Sequence, residues 1–554
     1  MWRISPVSVD DPLLSDESRW RYAVPQAIVF PESEADLSSV LKDAEQKNLA
    51  VYVQGAKTGL TSASIPSVEH SVLISFEKYP VSVQVDGQRL RASASARLRD
   101  IHAAAEAAGC VFPPNPTETS AMLGGALACN ASGSRSFAFG PVRSWVKSLK
   151  VMLVSGEVIR VERKSMQNAK CKMQYDGVAA ATIESNQCDE VASSILHFAF
   201  CTLHFEMPKC KNAAGYFSGG DDVDLFIGSE GTLGIILEAE LELLPLPQIR
   251  LPMIVFFDTE DAAHRFIIDT RDRHRAVSDV IKTVMLEFIG ENILKHFPKL
   301  TGMPEAANAA VMLEHWSGLN RHSSAGWNPD PSEAEGKVTG SGVGDPSLRW
   351  DDSKLRENVR AAKDSRDDNE ETLLAAWAEH MMSCGAIPDA SDPSFPQILL
   401  ASDDKHRRDF EAFRHHIPET MNAIVAKAGF PKLATDCAVP DEKYMDVVQL
   451  YRSLLNPSGL EWYYFGHAGD NHFHVNLITH NQAEFDLAKQ IYFQICQAVV
   501  ALGGTVSAEH GIGKNKIPYF NLMVPADSQA LVQMKVLKKR LDPEWRLNPG
   551  TLFS

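Results

Sequence analysis

Cysteine is sparse and poorly spaced for a framework. The nine cysteines, at 110, 129, 171, 188, 201, 210, 384, 437 and 496, form an odd, scattered set with no CxxC. Neither a disulfide scaffold nor an iron–sulfur cluster held by this chain is expected. Long apolar runs are missing as well. No stretch of 18 apolar residues occurs, and the opening MWRISPVSVDDPLLSDESRW has no apolar h-region. A cytoplasmic location is therefore expected, at most peripheral to the inner face of a membrane. Positive charge is short: 54 Lys+Arg stand against 71 Asp+Glu, a formal charge of −17. Sequence-independent nucleic-acid binding needs cations to displace phosphate counterions, so no nucleic-acid partner is expected. No GxGxxG unit is present to support a nicotinamide cofactor. What remains is ordinary for a folded protein: 554 residues, 44% apolar and 23% charged, with no internal repeat.

Along the chain, residues 26–55 read as strand, helix, strand. Ala27–Phe30 is a short apolar run closed by Pro31. Ser33 stands three residues before Asp36, a capping-box variant, ahead of Leu37, Val40, Leu41 and Ala44 on one helical face. Near 150, Leu149, Val151 and Leu153 alternate, and Ser155-Gly156 turns the chain into Val158–Val161, a predicted hairpin. Glu238, Glu240 and Glu242 alternate with Ala239, Leu241 and Leu243, the pattern of a half-exposed strand. Pro245, Pro247 and Pro252 then punctuate the chain, and a domain boundary is expected near 248. Residues 320–372 are acidic and rich in Ser, Gly and Pro, an excursion given no chemistry.

Five segments carry chemistry. The first, Gln54-Gly55-Ala56-Lys57-Thr58-Gly59-Leu60-Thr61, follows a strand; its small residues would let amides converge on an anion, or make a plain turn. The second is Pro113-Pro114-Asn115-Pro116, then Leu123 to Gly133 with paired Gly124 and Gly125. It permits either close backbone contact with a flat ligand or tight packing of a helix on a sheet. The third, Phe226 to Ile235, sets Gly228, Gly231 and Gly234 before a strand. The fourth runs from Tyr464 to Asn476. Its turn carries His467, and alternation puts His472, His474 and Asn476 on one face of a strand, a set suited to a divalent metal. The fifth, Gly503 to Lys514, encloses Glu509 and His510 between glycines; alone it reads as a capped turn with a surface Glu–His pair, or as one carboxylate ligand and one general base.

In this order, the first three segments resemble the FAD-binding domain of the vanillyl-alcohol oxidase and p-cresol methylhydroxylase type. The resemblance implies cofactor contacts from Gly55, Ala56, Lys57, Thr58, Gly59 and Leu60 around the pyrophosphate. Further contacts are implied from Pro116, Gly124, Gly125, Asn130, Ala131, Ser132 and Gly133, then from Glu230, Gly231, Gly234, Ile235 and Asn548. Thr58 and its neighbours stand where some relatives carry a flavin-bonding histidine, so the FAD is expected to be non-covalent. HAGDNHFH, SAEHGIG and the terminal NPGT resemble the D-2-hydroxyacid dehydrogenase branch, whose pattern is HxGDGNxH, SGEHGIG and NPGK. That branch includes D-lactate dehydrogenases, D-2-hydroxyglutarate dehydrogenase and the flavin subunit of glycolate oxidase. By position its metal ligands fall on His467, His474 and Glu509, and its catalytic histidine on His510. Asn476 matches a residue near substrate, and His472 replaces the usual Asn. Arg414, upstream of the D-x-x-x-P match Asp436–Pro440, is placed as the carboxylate-binding catalytic residue.

The fold implied is α+β: a two-subdomain FAD-binding domain over 1–248, and a substrate domain over 249–504 with an antiparallel sheet flanked by helices. A C-terminal helical segment over 505–554 returns to the FAD domain. The implied activity is FAD-dependent, metal-assisted oxidation of a D-2-hydroxy acid, with D-lactate the leading candidate. The metal would be zinc, manganese or iron, and the acceptor a quinone, a cytochrome or an electron-transfer flavoprotein. A homodimer is compatible with this scheme. Two other readings stand beside it: an oxygen-using flavin oxidase of an alcohol or sugar, and an electron-transfer subunit with no substrate of its own.

Overall fold

The computed structural model describes residues 7–163, 205–218, 220–275, 282–296, 302–317, 370–401 and 403–553. Most of the acidic 320–372 excursion lies outside them. The predicted strand–helix–strand is present. Ala27–Val29, Ser71–Ser75 and Ala50–Gln54 form a parallel sheet with Ser71–Ser75 in the middle. The Glu34–Gln46 helix begins where the Ser33 hydroxyl accepts from the Asp36 amide, and it buries the expected Leu37, Val40, Leu41 and Ala44. A β-branched and aromatic run, Ala50–Gln54, pairs along its whole length with Ser71–Ser75 and delivers the first glycine segment at the sheet edge.

A second, five-stranded antiparallel sheet runs in the order Val83–Asp86, Arg89–Ser93, Ile235–Glu242, Val146–Met152, Val158–Glu162. The hairpin read near 149–161 is one of its edges, formed by Val146–Met152 and Val158–Glu162. In the Ile235–Glu242 strand Ala239 and Leu241 are buried, while Glu238 and Glu240 pair with Arg91 and Arg89 on the outer face. The glycine segment before this strand is thereby anchored in the sheet.

From Ile249 onward eight strands make one antiparallel sheet, with Pro252 inside its Ile249–Phe257 strand. Its path is Ile398–Leu400, Ile249–Phe257, Ala309–Ser317, Thr283–Ile289, Glu461–His467, His472–Ile478, Leu433–Ala434, with Cys437–Ala438 also on the His472–Ile478 strand. His472–Ile478 has neighbours on both edges and cover on both faces, so His472 and Asn476 are as buried as Phe473 and Val475. The alternation separates two chemistries rather than core from solvent: Phe473 packs with Phe288, Tyr444 and Tyr464, while the imidazoles gather opposite.

The chain's last residues come back to the first sheet. The Val51 amide donates to the Arg546 carbonyl at 2.7 Å, and the Asn548 amide to the Val51 carbonyl at 2.8 Å. No helix among the described residues is long and apolar enough to cross a membrane.

Candidate active site

A cavity of 1190 Å³ lies between the two small sheets and the large one. That exceeds the roughly 300–1,000 Å³ of a usual small-molecule site, and leaves room for a large cofactor with a second ligand beside it. Its lining joins residues more than 400 positions apart. Of the residues singled out above, Gly55 to Leu60, Pro116, Gly124, Gly125, Ala131 to Gly133, Glu230, Gly231, Gly234, Ile235 and Asn548 all line it. So do Arg414, His467, His474, Asn476, Glu509 and His510. Asn130 does not. It takes a left-handed φ of 50° and turns its amide toward the Asn212 carbonyl, 3.4 Å away.

The glycines divide by role. A Cβ on Gly124 would meet the Ala94 Cβ at 2.8 Å, and one on Gly133 the Asn115 carbonyl at 2.0 Å, so these two serve packing. A Cβ on Gly125 would meet nothing within 4 Å and would project into the cavity. In the first segment Lys57 has φ 63°, and the amides of residues 55–60 find no protein acceptor among the described residues. Unpaired amides around a left-handed residue form a concavity for an anion such as a pyrophosphate. These features fit FAD. Glu230 and Asn548 border the same space but spend their side chains within the protein. Glu230 accepts from the Ile512 and Gly513 amides at 2.8 and 2.7 Å; Asn548 accepts from Val53 at 3.1 Å and donates to the Glu230 carbonyl at 2.7 Å.

At the other end of the cavity, the ligand atoms of His467, His472, His474 and Glu509 all lie within 4.8 Å of one another. Nε2 of His467 is 3.3 Å from Glu509 Oε1, and Nε2 of His474 is 3.9 Å from Oε2. Ser132 donates to Oε1 at 2.7 Å, which links the second glycine segment to the carboxylate. His467 Nδ1 lies 2.9 Å from Glu287 Oε1 and His472 Nε2 lies 2.9 Å from Asp436 Oδ1, yet neither contact is aligned as a hydrogen bond. Nδ1 of His472 and Oδ1 of Asn476 are likewise buried without a partner. Two imidazoles and a carboxylate, with such unspent donors beside them, could hold a divalent ion.

Electrostatics keep this set poised for a cation. Burial alone would raise the Glu509 carboxyl, but His467 and then Lys211 hold it well below the usual carboxylate range. Burial, then the charges of His472 and His510, push the His474 imidazole well down, so it stays neutral with a free lone pair. Lys211 is a feature no motif announced: its buried ammonium pairs with Glu509 and lies 3.5 Å from Asp470.

Asp436 emerges as the organiser, although the sequence offered it only as a landmark of D-x-x-x-P. It is 1% exposed. Its Oδ2 lies 3.2 Å from His510 Nδ1, and accepts from the His510 amide at 3.0 Å, Lys516 Nζ at 2.7 Å and Ser507 Oγ at 2.9 Å. Burial raises the Asp436 carboxyl, but the His510 and Lys516 charges outweigh it and hold the group ionised. Arg414 is more committed than expected. Its Nε and Nη2 grip Glu287 at 3.0 Å each, and Nη2 also reaches Thr117 Oγ1, so only Nη1 is left to face the cavity. The signal for Glu287 was a lone acid in the apolar strand Thr283–Ile289.

Residues 25–162 match the family described as "FAD binding domain", and residues 359–552 that described as "FAD linked oxidases, C-terminal domain". The chain is 22% identical to the glycolate oxidase subunit GlcD of Bacillus subtilis (strain 168), over 96% of this chain and 90% of that relative. It is 24% identical to a D-lactate dehydrogenase of Anaerostipes hadrus, over 96% of this chain and 90% of that one. It is also 24% identical to a D-2-hydroxyglutarate dehydrogenase of Xanthomonas citri pv. viticola, over 96% and 89%. In fold it is similar to alkyldihydroxyacetonephosphate synthase, with a TM-score of 0.54 at 13% identity over 96% of this chain and 77% of that one. The glycine-lined cavity and both matched regions lead to one assignment: this chain belongs to the FAD-linked oxidase family and is an FAD-dependent oxidoreductase.

Proposed function

We propose that this oxidoreductase converts a D-2-hydroxy acid, D-lactate in the first instance, to the 2-oxo acid and passes the electrons to a quinone, a cytochrome or an electron-transfer protein. The observation that carries it is the meeting of His467, His474, Glu509 and His510 in the cavity that the glycine segments line. Distant relatives named for D-lactate and D-2-hydroxyglutarate support the substrate class. We also propose the division of the chain near 248, with residues from 505 onward completing the site.

When bound, FAD supplies the two-electron acceptor for the α-hydrogen, and a divalent ion supplies Lewis acidity toward the substrate hydroxyl. The residues His467, His474 and Glu509 would hold the ion. His510 takes the hydroxyl proton at Nε2, because Nδ1 faces Asp436. Asp436 then keeps the ring in one orientation and offsets the charge it gains. Nη1 of Arg414 and the amide of Asn476 orient the carboxylate. Glu287 fixes the Arg414 plane, so that guanidinium acts end-on rather than as a fork.

An anaerobic screen of D- and L-2-hydroxy acids tests this, read as loss of flavin absorbance with and without chelator. Bleaching is expected with D-lactate or a related D-acid and not with the L-form, and chelation should slow it at least tenfold. Absence of bleaching by every D-acid would sink the reading.

A further inference from the structure

Away from the flavin cavity, three chemically different donors converge between two helices. Asp269 lies on the helix Glu260–Arg275, His380 lies in the helix Glu370–Ser383, and Cys384 follows its last residue. Their ligand atoms lie within 4.8 Å of one another. One atom, His380 Nδ1, faces both partners: Asp269 Oδ2 at 3.2 Å and Cys384 Sγ at 3.8 Å. Metal–nitrogen and metal–oxygen bonds of about 2.0–2.1 Å and a metal–sulfur bond of about 2.3 Å imply tetrahedral edges of roughly 3.3 Å for N···O and 3.5 Å for N···S. The observed edges are close to both values. An ion pair between His380 and Asp269 would explain the first separation but not the thiol on the same nitrogen.

The surroundings match what orients metal ligands. The His380 side chain is 1% exposed, and its other nitrogen, Nε2, lies 2.8 Å from the Thr270 hydroxyl, which can accept from Nε2–H in the tautomer that turns the Nδ1 lone pair toward the cluster. Arg273 Nε donates to Asp269 Oδ2 at 2.8 Å, a hydrogen bond to a ligating carboxylate from outside the donor set. Burial holds the Cys384 thiol up, so its proton would leave on binding, and thiolate and carboxylate would then set two negative charges against a divalent ion. The Asp269 side chain is half exposed, so an ion has an entry path and water a fourth position.

We infer that Asp269, His380 and Cys384 form a binding site for a zinc-type divalent metal, separate from the flavin cavity, that staples the two helices together. The staple has a mechanical consequence. Two residues after Asp269, Arg271 donates to the Asn471 side chain at 2.6 Å and also engages Asp441. Asn471 sits in the turn between His467 and His472, so a fixed helix helps to hold that turn.

Zinc protection of Cys384 tests the site. Chelator-treated holoenzyme is titrated with zinc, and iodoacetamide labelling is followed at each cysteine by peptide mass spectrometry. Saturating zinc should slow Cys384 labelling at least tenfold and leave Cys110 unchanged, and His380→Gln should abolish the protection. Unchanged Cys384 labelling in the wild type at saturating zinc overturns the proposal. As a check independent of His380→Gln folding, Cys384→Ser should bind one zinc fewer per chain than the wild type at equal flavin content. Equal zinc content overturns the proposal too. The donors at the flavin cavity include no sulfur, so neither readout depends on the function proposed there.

Discussion

A histidine acts as a base only as well as its second nitrogen is held. In this chain the holding falls to Asp436, whose backbone is fixed in turn by the Ala508 amide on its carbonyl at 2.7 Å. The carboxylate also takes the His510 amide and Lys516, so one buried anion sets both the place and the orientation of the ring. Removing the base itself, with His510→Ala, should cut turnover by about 100- to 10,000-fold with flavin content unchanged. Asp436→Asn keeps the shape but offers His510 an amide that can present a donor where an acceptor is needed. It should lower kcat by at least tenfold with KM little moved, measured by steady-state turnover of D-lactate. Wild-type kcat in Asp436→Asn would show that the ring is positioned by something else.

At the scale of elements, the glycine segments show where sequence reading stops. The cavity wall was legible only through the resemblance that the three glycine segments carry together, since the first alone reads equally as a plain turn and the second as helix packing. The hairpin near 149–161 and the helix after Ser33 were legible from the residues themselves, because local alternation and a local cap decide them. What each glycine does was not legible, since Gly124 and Gly125 are adjacent and chemically identical yet face Ala94 and the cavity. Nor could spacing reveal Glu287, Lys211 or Asp436 as partners of the site, because each arrives from a different strand or loop through the tertiary fold. The difference between the glycines can be measured. Gly133→Ala puts a methyl 2.0 Å from the Asn115 carbonyl and should cost about 1–3 kcal/mol or more, read as a lowered Tm. Gly125→Ala should leave the apoprotein Tm within a degree or two and weaken FAD at least tenfold. If Gly125→Ala lowers the apoprotein Tm as much as Gly133→Ala does, the division of roles is wrong.

The whole molecule is closed by its C-terminal residues, which stitch three distant segments around the flavin cavity. Asn548 ties Val53 to Glu230, Glu230 holds the amides of Ile512 and Gly513, and the Leu552 amide returns to the Gly513 carbonyl at 3.0 Å. The formal charge of −17 therefore says little about the interior, where acids are spent on amides and cations. Glu230 makes this closure sensitive to pH. Burial pushes its carboxyl up to about 7 from 4.5, even though the Ile512 and Gly513 amides pull the other way. A carboxyl raised in the folded state adds stability that is complete below about pH 4.5 and is lost as pH climbs through about 7. A shift of that size corresponds to on the order of 3 kcal/mol. Glu230→Gln cannot ionise and keeps an acceptor for one of the two amides, with its NH2 facing the other. The stability of the wild type relative to this variant should thus fall between pH 5 and pH 8, compared by urea unfolding at both. A wild-type advantage that grows with pH would mean that the amide donors outweigh burial, and that the loop at 511–513 is held by an ionised Glu230.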